Sequence, residues 1–248
     1  MRTIAVVCRV SRGVPWRIDP MATIHRRTDT LPVGIVLASV GGFLDAYTFV
    51  RYGVFANLQS GNMVLFCVQA TDRHWHAAVL SVIPIGAFIA GVLAVDILGV
   101  PHVGRLVRRP LRLVLTIQIV LLTAIASLPD GTPEPVTTVT VSLVAALQFA
   151  TFTTLRNAPY ATLMASGNLR TSIGAAHEWV VSKKPEDARR AGRYAVVVGA
   201  FAVGAVIGAI CTRFVGTPAV AVAAGLLAAV LAMLISETRQ LERGEANV

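Results

Sequence analysis

Two copies of the tripeptide Ser-Gly-Asn lie inside apolar regions of the sequence, where polar side chains are costly unless they have hydrogen-bond partners. At the start of a helix, Ser and Asn can accept hydrogen bonds from the free N–H groups of the first turn, and Gly permits a sharp backbone turn. The same N–H groups give a helix N-terminus about half a positive charge, which attracts an anionic or dipolar solute. The motifs therefore predict either capped broken helices or a solute pathway, and the candidate residues are Asn57, Gln59, Ser60, Gly61, Asn62, Ser166, Gly167 and Asn168.

One acidic residue, Asp45, lies well inside the apolar stretch GGFLDAYTF. A carboxylate at the centre of a membrane helix costs about 2.5 kcal/mol or more, so it should face the protein interior and have a partner or a proton. One interpretation is a structural ion pair with Arg156 or Arg170, and the other is a proton or cation site for coupled transport. We expect the functional role, because acids at membrane depth are usually functional.

The remaining polar residues do not assemble a catalytic or metal-binding set. His177 stands beside Glu178 without a second His at helical spacing, and the three cysteines have neither metal-ligand nor disulfide spacing. The sequence also shows no nucleophile paired with a base and no phosphate-binding loop. The sequence therefore predicts a protein that is not an enzyme and that holds no cofactor or metal.

The composition indicates what surrounds these motifs. Of the 248 residues, 55% are hydrophobic and only 14% are charged, and the mean hydropathy is +0.68. These values are far from the average of soluble proteins and predict an all-α integral membrane protein whose partner is the lipid bilayer. The net charge is +9, but the Arg residues lie at the ends of apolar runs. That placement is typical of topology signals, so we expect no nucleic-acid partner.

Six apolar segments are long enough to cross a hydrocarbon layer of about 30 Å as helices, which takes roughly 20 residues each. They are 32–50, 77–98, 111–128, 136–155, 194–214 and 217–235. Two further segments, 54–70 and 160–181, are shorter in their apolar part and contain the Ser-Gly-Asn motifs. We expect these two to be re-entrant or half-helices, with the alternative that 54–70 spans a locally thinned bilayer.

The two halves of the chain resemble each other. The second Ser-Gly-Asn follows the first after about 106 residues, and GAFIAG in the first half returns as GAFAVG in the second. Such an internal repeat is common in transporters. Thr151 occupies the place that corresponds to Asp45, so an acid site would be one-sided. The small residues of the repeated GAFxxG predict close helix packing and only weakly a pore lining.

The positive charges distinguish between two topologies. With eight spans, VRRPLR would lie outside and the uncharged loop PDGTPEP inside, which violates the positive-inside rule twice. With six spans and two re-entrant segments, the basic clusters lie inside and PDGTPEP outside. Three spans per copy is an odd number, so the second copy must enter the membrane inverted. The sequence therefore predicts a 3+3 inverted repeat with both termini in the cytoplasm.

The predicted organisation is a basic N-terminal tail at 1–30, membrane repeat 1 at 31–129, membrane repeat 2 at 130–237 and a C-terminal tail at 238–248. Arg9 and Arg12 interrupt the first apolar run, which is then too short for a secretory signal, so no cleaved signal is predicted. Met21 would itself make a natural start. We expect 1–20 to be a disordered tail or an upstream-start artefact.

The stretch GGFLDAYTFVRYGVFANLQSGNMVLF resembles the signature of the YoaK family of bacterial membrane proteins. The second Ser-Gly-Asn and the GAFAVG that follows it resemble the C-terminal portion of the same family, so the resemblance covers about 31–235. It implies a multi-pass protein of the bacterial inner membrane and no known substrate or activity.

Two functional hypotheses follow from these residues. The first is a small transporter or channel for an unknown solute or ion, with a midplane site formed by Asp45, the two Ser-Gly-Asn motifs, their polar neighbours and Arg156. The second is a membrane subunit, assembly factor or scaffold in which the same residues only satisfy broken helices. Either protein is compatible with a homo-oligomer.

Overall fold

The computed structural model describes residues 30–100, 109–129, 131–155, 158–159 and 165–245, and for 158–159 and 237–245 it describes the backbone only. The described residues are all-helical apart from one short hairpin, as the sequence predicts. The α-helices are α1 (Leu31–Tyr52), α2 (Gln59–Thr71), α3 (Trp75–Leu98), α4 (Pro110–Ala126), α5 (Glu134–Thr151), α6 (Ala165–Ser182), α7 (Pro185–Val215) and α8 (Ala221–Glu245). A 3-10 turn, Thr217–Val220, precedes α8, and β1 (Thr154–Leu155) pairs antiparallel with β2 (Ala158–Pro159).

Four helical stretches of the described chain are long and apolar enough to cross a membrane. They are Leu31–Tyr52, Trp75–Leu98, Pro185–Val215 and Thr217–Ser236. They are compatible with the predicted multi-pass membrane protein. The stretch Pro185–Val215 starts earlier than the predicted span at 194, because Pro185 and the acidic residues of SKKPEDARR form a favourable first helical turn.

Two of the six predicted spans differ from these four for physical reasons. Helix α4 has 17 residues and is slightly short. Helix α5 contains Thr, Ser and Gln side chains that lower its mean hydropathy, yet most of these side chains are buried against other helices. Gln148, for example, is fully buried and donates a hydrogen bond to the carbonyl oxygen of Leu37, 2.8 Å away. A helix with protein around its polar face does not need a uniformly apolar sequence.

The helical structure is interrupted between α1 and α2 at a glycine. Gly53 has a φ of 69°, in the left-handed region that glycine adopts without strain, and its N–H caps α1 by donating to Phe49 O at 2.9 Å. The next helix begins only at Gln59, so the first predicted short segment consists of a non-helical stretch, 53–58, and a helix of 13 residues. The second predicted short segment is described from Ala165 onward as α6.

Helices α1 and α7 run parallel and approach closely. The hydroxyl of Ser39 donates to Ala200 O at 3.1 Å, and a Cβ added at Gly204 would overlap the carbonyl oxygen of the same Ser39. One turn further along both helices, a Cβ at Gly208 would meet Phe43 O at 2.7 Å. Because the contacts advance in the same direction along both helices, the two helices are parallel.

Three helices end at the same place. Tyr47 and Arg51, near the C-terminal end of α1, donate hydrogen bonds to the backbone and side chain of Thr217 at 3.3 Å and 2.9 Å. Helix α7 ends just before Thr217. Helix α4 is antiparallel to α8, since Arg112 at its start donates to Leu234 O, and it also packs against the turn Thr217–Val220. The C-terminal ends of α1, α4 and α7 therefore meet at this turn.

Helix α5 runs opposite to α1. Gln148, near its C-terminal end, contacts Leu37 in the first half of α1, and Leu155, just after the helix, packs with Ala38. The main hydrophobic core lies among α1, α4, α5 and α8, and its largest fully buried side chains include Tyr47 and Phe43. Helices α2 and α6 pack outside this core, α2 on α3 and α6 on α7.

The two GAFxxG motifs lie on α3 and α7, and their last glycines are packing positions. A Cβ added at Gly91 would overlap Ala146 of α5, as one at Gly204 would overlap Ser39 of α1. Gly86 and Gly199, the first glycines of the motifs, have no atom within 4 Å of an added Cβ. The predicted close packing is thus confirmed for the last glycine of each motif and is wrong for the first.

Several predictions fall on residues outside the described chain. The basic tail at 1–30, except Thr30, is among them, as are the first two residues of VRRPLR and Arg156. At the other end, the backbone of α8 continues to Glu245, beyond the boundary predicted at 237.

Candidate functional site

A cavity of about 660 Å³ lies where the non-helical stretch 53–58 meets α1, α3, α5 and α7. Its polar lining comes from Asp45, Asn57, Gln59, Ser60 and Ser166. The first four belong to the first half of the chain and Ser166 to the second. The cavity therefore brings one residue of each Ser-Gly-Asn motif to the same space, together with the acid of α1.

Asp45 holds the backbone of the non-helical stretch. Its Oδ1 accepts a hydrogen bond from the N–H of Asn57 at 2.7 Å, and the N–H groups of Leu58 and Ala56 also interact with the carboxylate. The side chain is buried, with 8% of the residue exposed. Consecutive N–H groups around a carboxylate supply partners that lipid cannot supply. This explains why an acid is tolerated in the middle of α1.

The structure does not describe an ion pair of Asp45 with either of the two arginines predicted as its partners. Arg156 lies outside the described residues, and Arg170 is exposed on α6. The groups that interact with the Asp45 carboxylate are instead the backbone N–H groups of 56–58 and the side chain of Asn57.

Asn57 has one satisfied and one unsatisfied side-chain group. Its Nδ2 donates to Gly41 O at 3.1 Å, which fixes the non-helical stretch to α1. Its Oδ1 is buried and has no hydrogen-bond partner in the described part of the chain. Only 6% of the residue is exposed, and it lines the cavity. The buried amide oxygens of Gln118 and Gln148 also have no partner among the described residues, but of the three amides only Asn57 lines the cavity. An unpaired buried amide oxygen costs about 1–3 kcal/mol.

The sequence predicted that Asn62 could cap the first turn of α2. It does not, and no side chain caps the N-terminus of this helix. It reaches backward and clamps Phe55 instead, accepting from Phe55 N at 2.8 Å and donating to Phe55 O at 2.7 Å. Its Nδ2 also donates to Gln59 Oε1 at 3.0 Å, and Gln59 donates to Ala56 O at 2.8 Å. The backward reach follows from the tilt of helical side chains toward the N-terminus. Asn62 and Gln59 therefore shape the loop that forms one wall of the cavity.

The N-terminus of α2 opens to the cavity through Ser60. Gln59 N donates to Asn57 O at 2.9 Å and Asn62 N donates to Leu58 O at 3.1 Å. The N–H groups of Ser60 and Gly61, between them, make no hydrogen bond within the described chain. They are free donors at the positive end of a helix. Gly61 also packs tightly, since an added Cβ would lie 3.0 Å from side chains of Leu58 and Phe55.

The second motif lies in the same relation to its helix. Ser166 lines the cavity near the start of α6, and Asn168 is buried as Asn62 is in α2. Gly167 is exposed, and an added Cβ there would have open space around it. Of the second motif, only Ser166 is thus a cavity residue.

Five phenylalanine rings form most of the apolar wall, and the sequence reasoning missed them. Phe88 and Phe201 are the third residues of the two GAFxxG motifs. Phe88 packs against Phe149 with ring centroids 5.6 Å apart, and Phe49 stacks on Phe55 at 4.8 Å. Two of them could have been predicted from the internal repeat, since an identical Phe occurs in both copies of GAFxxG.

The chemistry available in this cavity is that of binding. It offers one carboxylate, one amide oxygen without a partner, seryl hydroxyls, free backbone N–H groups and aromatic walls. The described residues include no group of three or more His, Cys, Asp or Glu side chains that could hold a metal ion. Concave, mostly apolar cavities with a few convergent polar groups are typical of small-molecule sites.

Comparisons with known proteins place the chain in a family but name no function. No curated protein and no solved structure matches the chain. A family described as "Protein of unknown function (DUF1275)" matches residues 33–233, and this is the YoaK-type family that the first-half signature resembles. Since the match covers most of the sequence, the chain belongs to the DUF1275 family.

Proposed function

We propose that this protein is a small-solute transporter or channel of the bacterial inner membrane, with its solute site in the cavity between α2 and α6. One observation carries the proposal: Ser60 and Ser166, from motifs about 106 residues apart, line the same cavity as Asp45 and Asn57. Half-helices that start near the bilayer middle and direct their N-termini at a solute are a recurring device of secondary transporters.

The helix directions support six crossings with two re-entrant segments. Helices α1 and α4 end on the same side, at the turn Thr217–Val220, so α4 must start on the opposite side. Helix α3, with 24 residues, makes the one crossing needed between them. Helix α2 then begins and ends on the side where α1 ends, which is the predicted re-entrant geometry. The same reasoning applies to α6 between the oppositely directed α5 and α7.

The packing pattern supports the inverted repeat. Helix α1 packs on α7, and its counterpart α5 packs on α3, which is the counterpart of α7. Likewise α2 packs on α3 as α6 packs on α7, and α4 packs on its own counterpart α8. An approximate twofold axis that exchanges the two halves accounts for all of these pairs. Such an axis in the membrane plane places the two half-helix starts at the same depth.

The charges support a cytoplasmic location of the α6–α7 end. Lys183 and Lys184 join these helices, and Arg189, Arg190 and Arg193 follow in the first turns of α7. By the positive-inside rule this end, the start of α1 and the C-terminal end of α8 lie in the cytoplasm.

The first test of this topology uses single cysteines in a variant whose three native cysteines are replaced. Gly131→Cys, between α4 and α5, is expected to react with a membrane-impermeant maleimide in intact cells. Lys183→Cys, between α6 and α7, is expected to react only after permeabilisation, because it lies on the other side. Both positions are exposed, so folding should be unaffected. Labelling of both positions from the same side would overturn the inverted arrangement.

A non-transporting scaffold is the second candidate, and the hydrogen bonds of Asp45 and Asn62 favour it. Both side chains satisfy the backbone of 53–58, as they would in a protein that only needs to stabilise a broken helix. The two candidates differ in one respect. A transporter must open its cavity to water on each side of the membrane in turn, whereas a scaffold has no reason to do so.

This difference is testable before any solute is known. In the same cysteine-free variant, Ser60→Cys and Ser166→Cys are each expected to react with a small charged methanethiosulfonate in both right-side-out and inside-out vesicles. The matched control is Val64→Cys, one turn beyond Ser60 on α2 and 62% exposed, which should face lipid and stay unreactive, because a thiol in lipid remains protonated. Absence of reaction at both serine positions from both sides would favour the scaffold and overturn the transporter.

A further inference from the structure

We infer that the ligand of the cavity is a small zwitterion with an apolar body, of the amino-acid type. Its ammonium group would bind at Asp45 and Asn57, and its anionic group at the free N–H groups of Ser60 and Gly61. This inference rests on the proposed function, because it names the solute class of the same cavity.

Asp45 and Asn57 form an end of the cavity that can only accept hydrogen bonds. The carboxylate can accept about four hydrogen bonds; it accepts one from the N–H of Asn57 at 2.7 Å, and the Asn57 side chain and the N–H groups of Ala56 and Leu58 also interact with it. The Oδ1 of Asn57 is buried and has no partner, although its Nδ2 is fixed on Gly41 O. What completes this end is a group with several donors and a positive charge, which describes an ammonium group.

The start of α2 forms an end that is rich in hydrogen-bond donors. The free N–H groups of Ser60 and Gly61 lie at the positive end of a 13-residue helix, beside the exposed Ser60 hydroxyl. Ser166 at the start of α6 adds a second hydroxyl. The described residues that line the cavity include no Lys or Arg, so an anionic group would be held by backbone donors.

The acceptor end at Asn57 and the donor end at Ser60 and Gly61 belong to one short segment, 57–61. The two ends are therefore close enough to bind the two charged groups of a single small molecule. The rest of the wall is apolar and contains the rings of Phe49, Phe55, Phe88, Phe149 and Phe201. Aromatic faces bind apolar side chains and also attract an ammonium group. A volume of about 660 Å³ is within the usual range for ligands of this size and larger.

Ligands with one charge fit less well. A simple anion would be repelled by the carboxylate of Asp45, and a simple cation would leave the donors of Ser60 and Gly61 without partners. An inorganic ion would make no use of the five rings. Only a molecule with both charges and an apolar group satisfies all three parts of the cavity.

Three probes with the same phenyl-ethyl skeleton separate these cases. L-phenylalanine carries both charges, 2-phenylethylamine only the cation and 3-phenylpropionate only the anion. Their binding to the wild-type protein in nanodiscs is measured by equilibrium dialysis with radiolabelled compounds. We expect L-phenylalanine to bind at least about tenfold more tightly than either analogue, because each analogue loses charge-assisted hydrogen bonds. Equal or tighter binding of one analogue, or no saturable binding of L-phenylalanine at millimolar concentration, overturns the inference.

A variant then tests which end binds the ammonium group. Asp45→Asn preserves the shape and an acceptor for the N–H of Asn57 but removes the charge, so it should weaken L-phenylalanine binding about tenfold or more and 3-phenylpropionate binding much less. Asp96→Asn removes an exposed acid of α3 outside the cavity and should change neither. Unchanged L-phenylalanine binding in Asp45→Asn overturns the assignment, and the wild-type comparison does not depend on the folding of the variant. If Ser60→Cys and Ser166→Cys are water-accessible while L-phenylalanine fails to bind, the ligand class is wrong and the transporter proposal stands.

Discussion

Gly204→Ala is expected to destabilise the protein by about 3 kcal/mol, at the upper end of the usual cost of overpacking. The added Cβ would overlap the carbonyl oxygen of Ser39 and lie close to the Ser39 Cα and carbonyl carbon. These are backbone atoms of a helix, so no side-chain rotation can relieve the overlap. Helices α1 and α7 would have to move apart along an interface that also includes Gly208 against Phe43. The expected result is a fall in Tm on the order of 10 °C, measured by thermal unfolding of the purified protein.

The matched control is Gly199→Ala in the same helix and the same GAFAVG motif. Nothing lies within 4 Å of a Cβ added at Gly199. Alanine favours a helix by about 1 kcal/mol relative to glycine, so this variant should keep or slightly raise the Tm. If the two variants lower the Tm equally, the sensitivity belongs to the helix in general, and the close α1–α7 contact at Gly204 is wrong.

These two glycines also show how far the sequence could lead. The repeat of GAFxxG predicted close packing from residue types alone, and Gly91 and Gly204 do pack closely. Which glycine of the motif meets the neighbouring helix depends on where the two axes cross. That point is set by long-range packing of α1 on α7 and of α5 on α3, which a local motif does not contain.

The candidate site was predictable in part for a related reason. The recurrence of Ser-Gly-Asn and the odd number of spans per half predicted that Ser60 and Ser166 would approach each other, and both line one cavity. The roles within each motif were not predictable. They depend on the left-handed Gly53 and the non-helical stretch after it, which place Phe55 within reach of Asn62. A polar residue near a helix start has many backbone partners within reach, and only the path of the preceding loop selects one.

Two phenylalanines of the cavity wall were present in a sequence motif, GAFxxG, but that motif was interpreted as a helix-packing motif. Phe88 and Phe201 stand at the same place in the two motifs and line the same cavity. A phenylalanine between small residues in a membrane helix has two ordinary environments, lipid and protein. Its repetition beside a glycine that contacts the other half of the chain favours the protein environment, since both residues then lie near the interface between the halves.

Replacing Asn62 of α2 with leucine is expected to be the most damaging single substitution among the residues that hold the non-helical stretch 53–58 in place. Asn62 is fully buried, and its side chain binds both the N–H and the carbonyl of Phe55. Leucine has a similar size but leaves these two backbone groups without partners, away from water, at about 1–3 kcal/mol each. The expected cost is therefore about 3 kcal/mol or more, together with loss of the Phe49–Phe55 stacking that Phe55 makes in its present position.

Two comparisons make this prediction specific. Ser60→Ala changes a side chain two residues away on α2 that is exposed to the cavity, and it should leave the Tm unchanged. Asn62→Asp retains an acceptor for Phe55 N but replaces the donor with an acid oxygen against Phe55 O and Gln59 Oε1, so its Tm should also fall below that of wild type. Thermal unfolding of the three variants gives the order. A leucine variant as stable as wild type would mean that other contacts hold 53–58 in place, and the clamp would then be incidental. The expected order instead implies that Asn62 stabilises the wall of the cavity, whereas Ser60 lines the cavity without contributing to stability.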